Sequence, residues 1–388
     1  MNKSIVALAV LAFSSASFAQ VSITGSLAMG YKASKASNRN AFAATGTTYA
    51  GGAESAGLGV DTSQINVTAK EDLGGGQTVE ANMAFAGADR SGESNTTSSG
   101  AVTGRDATLS YTNTSFGRIQ MGSTEGAAVH AGIPSADAPV IDMDGKLFQI
   151  KSSSDFISYA APIGPVIFIY KLSESSASKG LGLGFQGNAG ASAVGQRTSD
   201  VALAYSSGAM EIVGAYRSYD NTNKTSITTA DSLTKDNVYN FQFGYDAGFA
   251  KFGVGYQQAT ASVGPKVQDI LLGASFPMGA WTFGATYALS TVSGVADTPL
   301  SAFSGSATLK SIMQQADGSA NGFSLGAKYN LSKRTNVLVR YASWVKSGYE
   351  QFESFDGAAF NGGDMTQAGK FGYGDRASET SILLVHNF

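Results

Sequence analysis

The stretch that decides the fold is residues 237–289, which reads NVYNFQFGYDAG, FAKFGVGYQQ, a polar break, DILLGASFPMGA and WTFGATYAL. Aromatic residues occupy every second position of its first segment: Tyr239, Phe241, Phe243 and Tyr245. The positions between them are polar or small, and the same alternation recurs in the three segments that follow. Successive side chains of a β-strand point to opposite faces, so each segment has one apolar face and one polar or small face. Four such strands in succession predict a transmembrane β-barrel that encloses a pore.

The N-terminal segment has the features of a secretory signal. Lys3 supplies a positive charge, residues 5–13 are apolar, and Ser17 and Ala19 place small residues before a cleavage point at Gln20. The apolar run is too short to cross a bilayer as a helix. We therefore expect residues 1–19 to be a signal peptide, and residues 20–388 to be an exported barrel domain.

The composition narrows the class of protein further. The chain has no cysteine, so disulfides play no part in its stability. Loss of Lys3 with the signal changes the net charge from −3 to −4, which argues against a nucleic-acid partner. No later apolar run reaches the roughly 18 residues of a transmembrane helix. The 48 glycines and 10% aromatic residues suit many strands with a crowded inner face.

The connections between segments follow a regular pattern. Sixteen candidate strands can be counted, and the connections alternate strictly between long and short, beginning with a long one. The short ones carry the Gly, Pro, Asn, Asp and Ser residues of tight turns. This asymmetry is typical of outer-membrane proteins, with short periplasmic turns and long external loops. The predicted fold class is therefore all-β, a transmembrane antiparallel β-barrel of 16 strands.

Aromatic residues crowd the ends of the apolar faces. Those beside short turns are Tyr111, Tyr159, Tyr205, Tyr245, Phe276, Trp281, Tyr329 and Phe388. Those near the opposite ends are Tyr31, Tyr216, Tyr256, Tyr287 and Tyr341. Because Tyr and Trp prefer the level of the lipid headgroups, two girdles around the barrel are expected.

Three short motifs resemble a known family. EDLGGG at residues 71–76, SFGRIQMG at 115–122 and the ending HNF at 386–388 are similar to the general porins of Gram-negative outer membranes. The resemblance is to the trimeric type of β-proteobacteria and Neisseria, and it spans the chain. It implies a homotrimer in the outer membrane, in contact with its lipid and lipopolysaccharide. It also implies passive passage of ions and small hydrophilic solutes, a third loop folded into the barrel, and assembly through the terminal Phe388.

Charged residues on the polar faces are candidates to line the pore. A charge facing lipid at mid-bilayer costs about 2–4 kcal/mol, whereas a water-filled lumen tolerates it. The expected bases of the wall are Lys70, Arg118, Lys171, Arg217 and Arg340. Residues 124–152 form the third long connection, whose apolar residues and prolines suggest that it packs against the wall. Its acids would face the bases across a constriction: Glu125, Asp137, Asp142 and Asp144. The expected ion selectivity is weak, and its sign stays open.

Other functions are weighed by the same reasoning. GLGFQG at residues 182–187 has dinucleotide-binding spacing but no strand-to-helix context, and GFSLG at 322–326 continues as a strand. Neither of the two histidines, His130 and His386, is placed beside that serine, so an enzyme is not expected. No metal or cofactor site is expected either. A solute-specific channel for sugars or organic acids remains the alternative, and a run of aromatic residues along the lumen would favour it.

Overall fold

The computed structural model describes residues 20–37, 53–86, 103–125, 153–175, 197–220, 235–261, 266–294, 318–345 and 376–388. These residues form sixteen strands joined by turns. The strands are β1 (Gln20–Ser37), β2 (Ala53–Gly74), β3 (Gln77–Ala86), β4 (Thr103–Asn113), β5 (Gly117–Glu125), β6 (Ser153–Ile163), β7 (Val166–Ser175), β8 (Arg197–Ser207), β9 (Met210–Asp220), β10 (Lys235–Asp246), β11 (Lys251–Ala261), β12 (Lys266–Met278), β13 (Trp281–Ser293), β14 (Gly318–Asn330), β15 (Thr335–Val345) and β16 (Arg376–Asn387).

The strands close into one barrel in which each strand pairs with its neighbours in the sequence. All pairs are antiparallel, and β1 closes the ring against β16, from Ser26 opposite Asn387 to Ser37 opposite Arg376. The last residue joins this seam: the Gly25 N–H donates to the Phe388 carbonyl at 2.8 Å, and the Phe388 N–H donates back at 3.0 Å. Closure leaves no strand edge unpaired, which a membrane requires because lipid cannot hydrogen-bond the backbone.

The predicted sixteen-strand antiparallel barrel is confirmed, with differences in the length of its parts. Strands are longer than their alternating apolar segments suggest; β2, for example, runs from Ala53 to Gly74. Because β11 ends at Ala261 and β12 begins at Lys266, only residues 262–265 separate them. The strict alternation of long and short connections is therefore wrong at this one place. Residues 1–19 lie outside the described residues, so the signal peptide stays a prediction.

The two ends of the barrel differ in their connections. At one end, here the short-turn end, β6 joins β7 and β12 joins β13 through two-residue turns. Gly164 and Gly279 begin these turns with φ of 60° and 64°, a left-handed conformation that glycine adopts without strain. At the other end, here the long-connection end, lie seven connections of more than ten residues and the short segment 262–265.

The two faces of the wall have opposite chemistry. On the outer face, large apolar side chains are exposed, as at Leu203 (52%), Leu325 (51%) and Ile382 (51%). The inner face is concave, so its side chains converge and are less accessible; Ser324 and Ser381 are fully buried. An exposed apolar belt around a closed strand ring is the arrangement that a bilayer solvates.

Aromatic side chains form contacts along the outer face at the short-turn end. At the short-turn end, Trp281 lies 4.7 Å from Tyr329 between ring centroids, and their strands are adjacent. Tyr159 donates its hydroxyl to the Phe116 carbonyl at 2.6 Å, so its polar atom is satisfied at the edge of the apolar belt. Tyr287 and Tyr341 are also exposed on the outer face, but each lies near the middle of its strand, β13 or β15. The aromatic residues of the short-turn end suit a lipid–water boundary.

In the part of the chain that the structure describes, no helix has the length and apolar character needed to cross a membrane.

Candidate pore and its lining

A charged cluster lies on the inner face of β7, β8 and β9. Lys171 is directly opposite Asp200, and Asp200 is directly opposite Arg217. Arg217 donates from Nε and Nη2 to the two carboxylate oxygens of Asp200 at 2.6 and 2.8 Å. This two-bond geometry fixes both side chains on the wall. The Lys171 ammonium lies 4.4 Å from the ring centroid of Phe156, on the neighbouring strand β6.

A second cluster lies at the short-turn end. Arg118 is the second residue of β5, and its Nη2 donates to Ser110 Oγ at 3.1 Å. The same nitrogen lies 3.8 Å from a carboxylate oxygen of Glu80. Lys70 is directly opposite Glu80 in the β2–β3 pair. The carboxylate of Glu80 thus lies beside Arg118 near the mouth of the barrel, with Lys70 at the opposite position of the neighbouring strand.

The third arginine reaches across the seam that closes the barrel. Arg340, in the middle of β15, donates from Nε to Ser381 Oγ on β16 at 3.0 Å. Its Nη2 then reaches Asp61 Oδ1 on β2, also at 3.0 Å, so the side chain passes over both β16 and β1. Beside it, Lys32 pairs with the buried Glu379 at 2.9 Å.

Asp61 faces inward because of a β-bulge. Ala28 on β1 is opposite Thr62, whereas its neighbour Met29 is opposite Val60, so Asp61 is the extra residue without a partner. A bulge of this kind redirects one side chain while the strand continues on both sides. The local irregularity thereby places a carboxylate within reach of Arg340.

The inner face of β12 to β16 also carries a buried apolar cluster. Six residues on these strands form a contiguous cluster, and each is less than a tenth exposed: Leu271, Ala288, Ala320, Ala342, Trp344 and Ala377. Polar side chains on the same wall are also buried, and Gln257 donates to Asp269 at 3.0 Å. The inner face of these strands therefore combines a buried apolar cluster with buried polar and ionic side chains.

The predicted wall bases all face inward, but they lie at different heights. Arg118 is near the short-turn end, Arg340 is at mid-strand, and Arg217 is toward the long-connection end. The structure therefore does not gather the three arginines at one level. Of the predicted loop acids, Glu125 ends β5 and its side chain is not described. The other three acids, Asp137, Asp142 and Asp144, lie outside the described residues.

Several lining residues escaped the sequence reasoning. Three of them, Asp200, Phe156 and Trp344, face inward as the alternation along their strands indicates. They could have been found by extending that alternation. Asp61 could not, because the bulge shifts the parity of β2 at that residue. Among the described residues, no group of three His, Asp or Glu side chains could hold a metal ion.

Comparison with known proteins gives the family. The Gram-negative porin family model matches residues 6–346, well over half of the 388-residue chain. The chain belongs to the Gram-negative porin family. No match was found among curated protein sequences.

Solved structures show the same fold. The chain is similar to an anion-selective porin from Comamonas acidovorans, at 17% identity and a TM-score of 0.59, covering 95% of this chain and 100% of that one. It is also similar to OmpF of Salmonella typhi in complex with daunomycin, at 14% identity and a TM-score of 0.61, covering 95% and 98%. The family resemblance and the outer-membrane location predicted from the sequence are confirmed. With its closed barrel and charged inner face, the protein is a general diffusion channel of the outer membrane.

Proposed function

We propose that this porin is a passive channel for ions and small hydrophilic solutes whose lumen is narrowed by the third long connection, residues 126–152. The observation that carries the proposal is the closed barrel with ionic side chains on its inner face and an apolar belt outside. The closed wall separates the lumen from lipid, because every strand is paired on both sides. The charged inner face therefore lines a path for water and ions.

The apolar part of the inner wall supports the narrowing. Water-exposed lumen surfaces favour polar side chains, yet the six-residue cluster that includes Ala342 and Trp344 is apolar and buried. Residues 139–150 include Val140, Ile141 and Leu147, which supply apolar surface of matching character. Packing of this segment on the wall would remove apolar surface from water, at about 25 cal/mol per Å².

The narrowing can be tested by crosslinking, because the chain has no cysteine. Ile141→Cys combined with Ala342→Cys should form a disulfide, whereas Ser306→Cys with Ala342→Cys should not. Crosslinking should leave the channel open at lower conductance. Crosslinking of the control pair alone would overturn the assignment of this segment.

A spectroscopic test is also available, because Trp281 and Trp344 are the two tryptophans of the chain. Trp281→Phe leaves Trp344 as the reporter of the apolar inner wall. Deletion of residues 138–148 in that background should shift Trp344 emission to the red and raise conductance. Unchanged emission and conductance would contradict the packing of the third connection on this wall.

We infer that three copies assemble in the membrane, in contact with lipid and lipopolysaccharide. The support is the family to which the chain belongs and its wide apolar outer surface. Protein purified in mild detergent should have three times the mass of one chain, and single insertions should show three equal conductance steps. A monomeric mass with single steps would contradict the trimer.

The geometry favours a general channel over a solute-specific one. Phe156, Tyr219 and Trp344 do point inward, which is the feature that a sugar or organic-acid channel would use. They lie on β6, β9 and β15, however, and do not form a continuous track. Solute-dependent blocking of the single-channel current would reverse this choice.

No catalytic activity is proposed. Ser324, the serine with nucleophile-elbow spacing, is fully buried in the regular strand β14 and hydrogen-bonds Thr286 at 2.5 Å. His386 lies at the end of β16, where its side chain forms a hydrogen bond with Thr335 and not with Ser324.

A further inference from the structure

We propose that Lys171 is the wall residue that attracts small anions into this channel, and that Phe156 holds its ammonium group in position. The inference rests on the channel function and adds to it the residue and the sign of the selectivity. The ligand class is small inorganic anions and carboxylates, with chloride as the simplest probe.

The first step concerns Arg217 and Arg340, each of which forms a charge-neutral pair with one carboxylate. Arg217 binds both oxygens of Asp200 at 2.6 and 2.8 Å. Arg340 binds Asp61 at 3.0 Å. Opposite charges this close form a dipole whose field falls off faster with distance than the field of a single charge. Passing ions therefore experience little net attraction from either arginine.

The second step concerns the charge of Lys171. It is directly opposite Asp200, but the hydrogen bonds of that carboxylate go to Arg217. The three groups, Lys171, Asp200 and Arg217, sum to one positive charge. On its other side Lys171 is opposite the uncharged Ser158. The cluster thus leaves one unbalanced cation on the inner face, and a low-dielectric barrel wall focuses its field into the aqueous path.

The third step concerns the position of the ammonium. Lys171 Nζ lies over the Phe156 ring, at 4.4 Å from the centroid. The ring face attracts the cation through its quadrupole, but it carries no charge and cannot neutralise it. Phe156 therefore restrains a flexible side chain while leaving its charge available to anions. This makes Phe156 a positioning residue.

The experiment measures the reversal potential of purified protein in planar bilayers under a potassium chloride gradient. Lys171→Gln should shift it toward cations, with the chloride-to-potassium permeability ratio falling about twofold, the effect of a unit charge roughly 8 Å from an ion in water. Lys171→Arg, which keeps the positive charge, should give the wild-type permeability ratio. Lys333→Gln, which removes the same charge in an exposed turn, should leave the ratio unchanged.

Two further variants separate the roles. Asp200→Asn with Arg217→Gln removes the neutral pair and should leave the permeability ratio close to wild type. Phe156→Leu changes no charge and should lower the ratio in the same direction as Lys171→Gln. All variants are first compared for heat-dependent migration in gels, which reports an intact barrel.

The outcomes distinguish this proposal from the channel function itself. An unchanged ratio in Lys171→Gln, with normal conductance, would overturn the role of Lys171. A larger shift in the Asp200/Arg217 double variant would assign the selectivity to that pair instead. An unchanged ratio in Phe156→Leu would remove the positioning role. Absence of conductance in the wild-type protein would overturn the channel and not the selectivity residue.

Discussion

At the scale of single residues, Gly25 has almost no room for a side chain at the closing seam. A Cβ there would lie 2.3 Å from the Phe388 ring and 2.6 Å from the Gln64 carbonyl oxygen. Gly25→Ala should therefore lower the free energy of unfolding by about 1–3 kcal/mol, the usual cost of overpacking. Urea titration in detergent would measure it. Gly59→Ala is the control, since nothing lies within 4 Å of its Cβ.

The contact between Asp61 and Arg340 gives a second prediction at this scale. The Arg340 side chain is only 14% exposed, so removal of its partner leaves a guanidinium with little water. Asp61→Asn should destabilise the barrel by about 1.5–3 kcal/mol, the range for hydrogen bonds to charged groups. Adding Arg340→Gln should recover part of the loss, and a double-mutant cycle of unfolding free energies would measure the coupling. Strictly additive losses would mean that the two groups do not interact.

The residue scale also shows where sequence reasoning ends. Alternation correctly turned Lys171 and Arg217 inward, because side-chain parity is a property of the strand itself. The pairing of Arg217 with Asp200 depends on the register between strands, which parity alone does not set. The inward turn of Asp61 depends on a bulge, which has no signature in the alternating pattern. The inward orientation of the charged strand residues was thus predictable except at the bulge, but their ion pairs were not.

At the scale of the element, each strand should tolerate charge on one face only. Leu203 on β8 is 52% exposed on the outer face, and its neighbour Ala204 faces inward. Leu203→Lys should destabilise the barrel by about 2–4 kcal/mol if the residue lies at the bilayer midplane. Ala204→Lys should fold normally and change the conductance instead. Folding yield into lipid vesicles and single-channel recording would measure the two effects, and equal yields would contradict the assigned faces.

Strands were predictable in number and order, but not in length. The lipid-facing apolar pattern marks only the part of a strand inside the bilayer, whereas hydrogen bonding continues beyond it. The β1–β2 ladder therefore extends to Ala36 opposite Ala53, where the sequence is rich in Ala, Ser and Gly. The short connection at residues 262–265 was missed for the same reason, because β11 and β12 continue past their apolar segments.

At the scale of the whole molecule, closure depends on the pairing of the first strand with the last. Phe388 contributes two backbone hydrogen bonds to Gly25. Deletion of Phe388 should lower the unfolding free energy by about 2 kcal/mol, at roughly 1 kcal/mol per hydrogen bond, and should slow barrel closure. The rate of the gel shift that accompanies folding into vesicles would report it. Phe249→Ala, in an exposed turn, is the control, and an equal effect there would show that the loss is not specific to the seam.

The bulge at Asp61 determines where this chain can lose one residue from a membrane strand during evolution. Loss or gain of one codon inside a membrane strand normally exchanges lipid-facing and water-facing side chains over the rest of that strand. Here Val60 already faces outward and Thr62 inward, so removing the residue between them restores perfect alternation on both sides. A single-codon deletion at this site should therefore preserve the two faces of β2, whereas in most of the sixteen strands it would exchange them. Its cost is the loss of the carboxylate that pairs with Arg340.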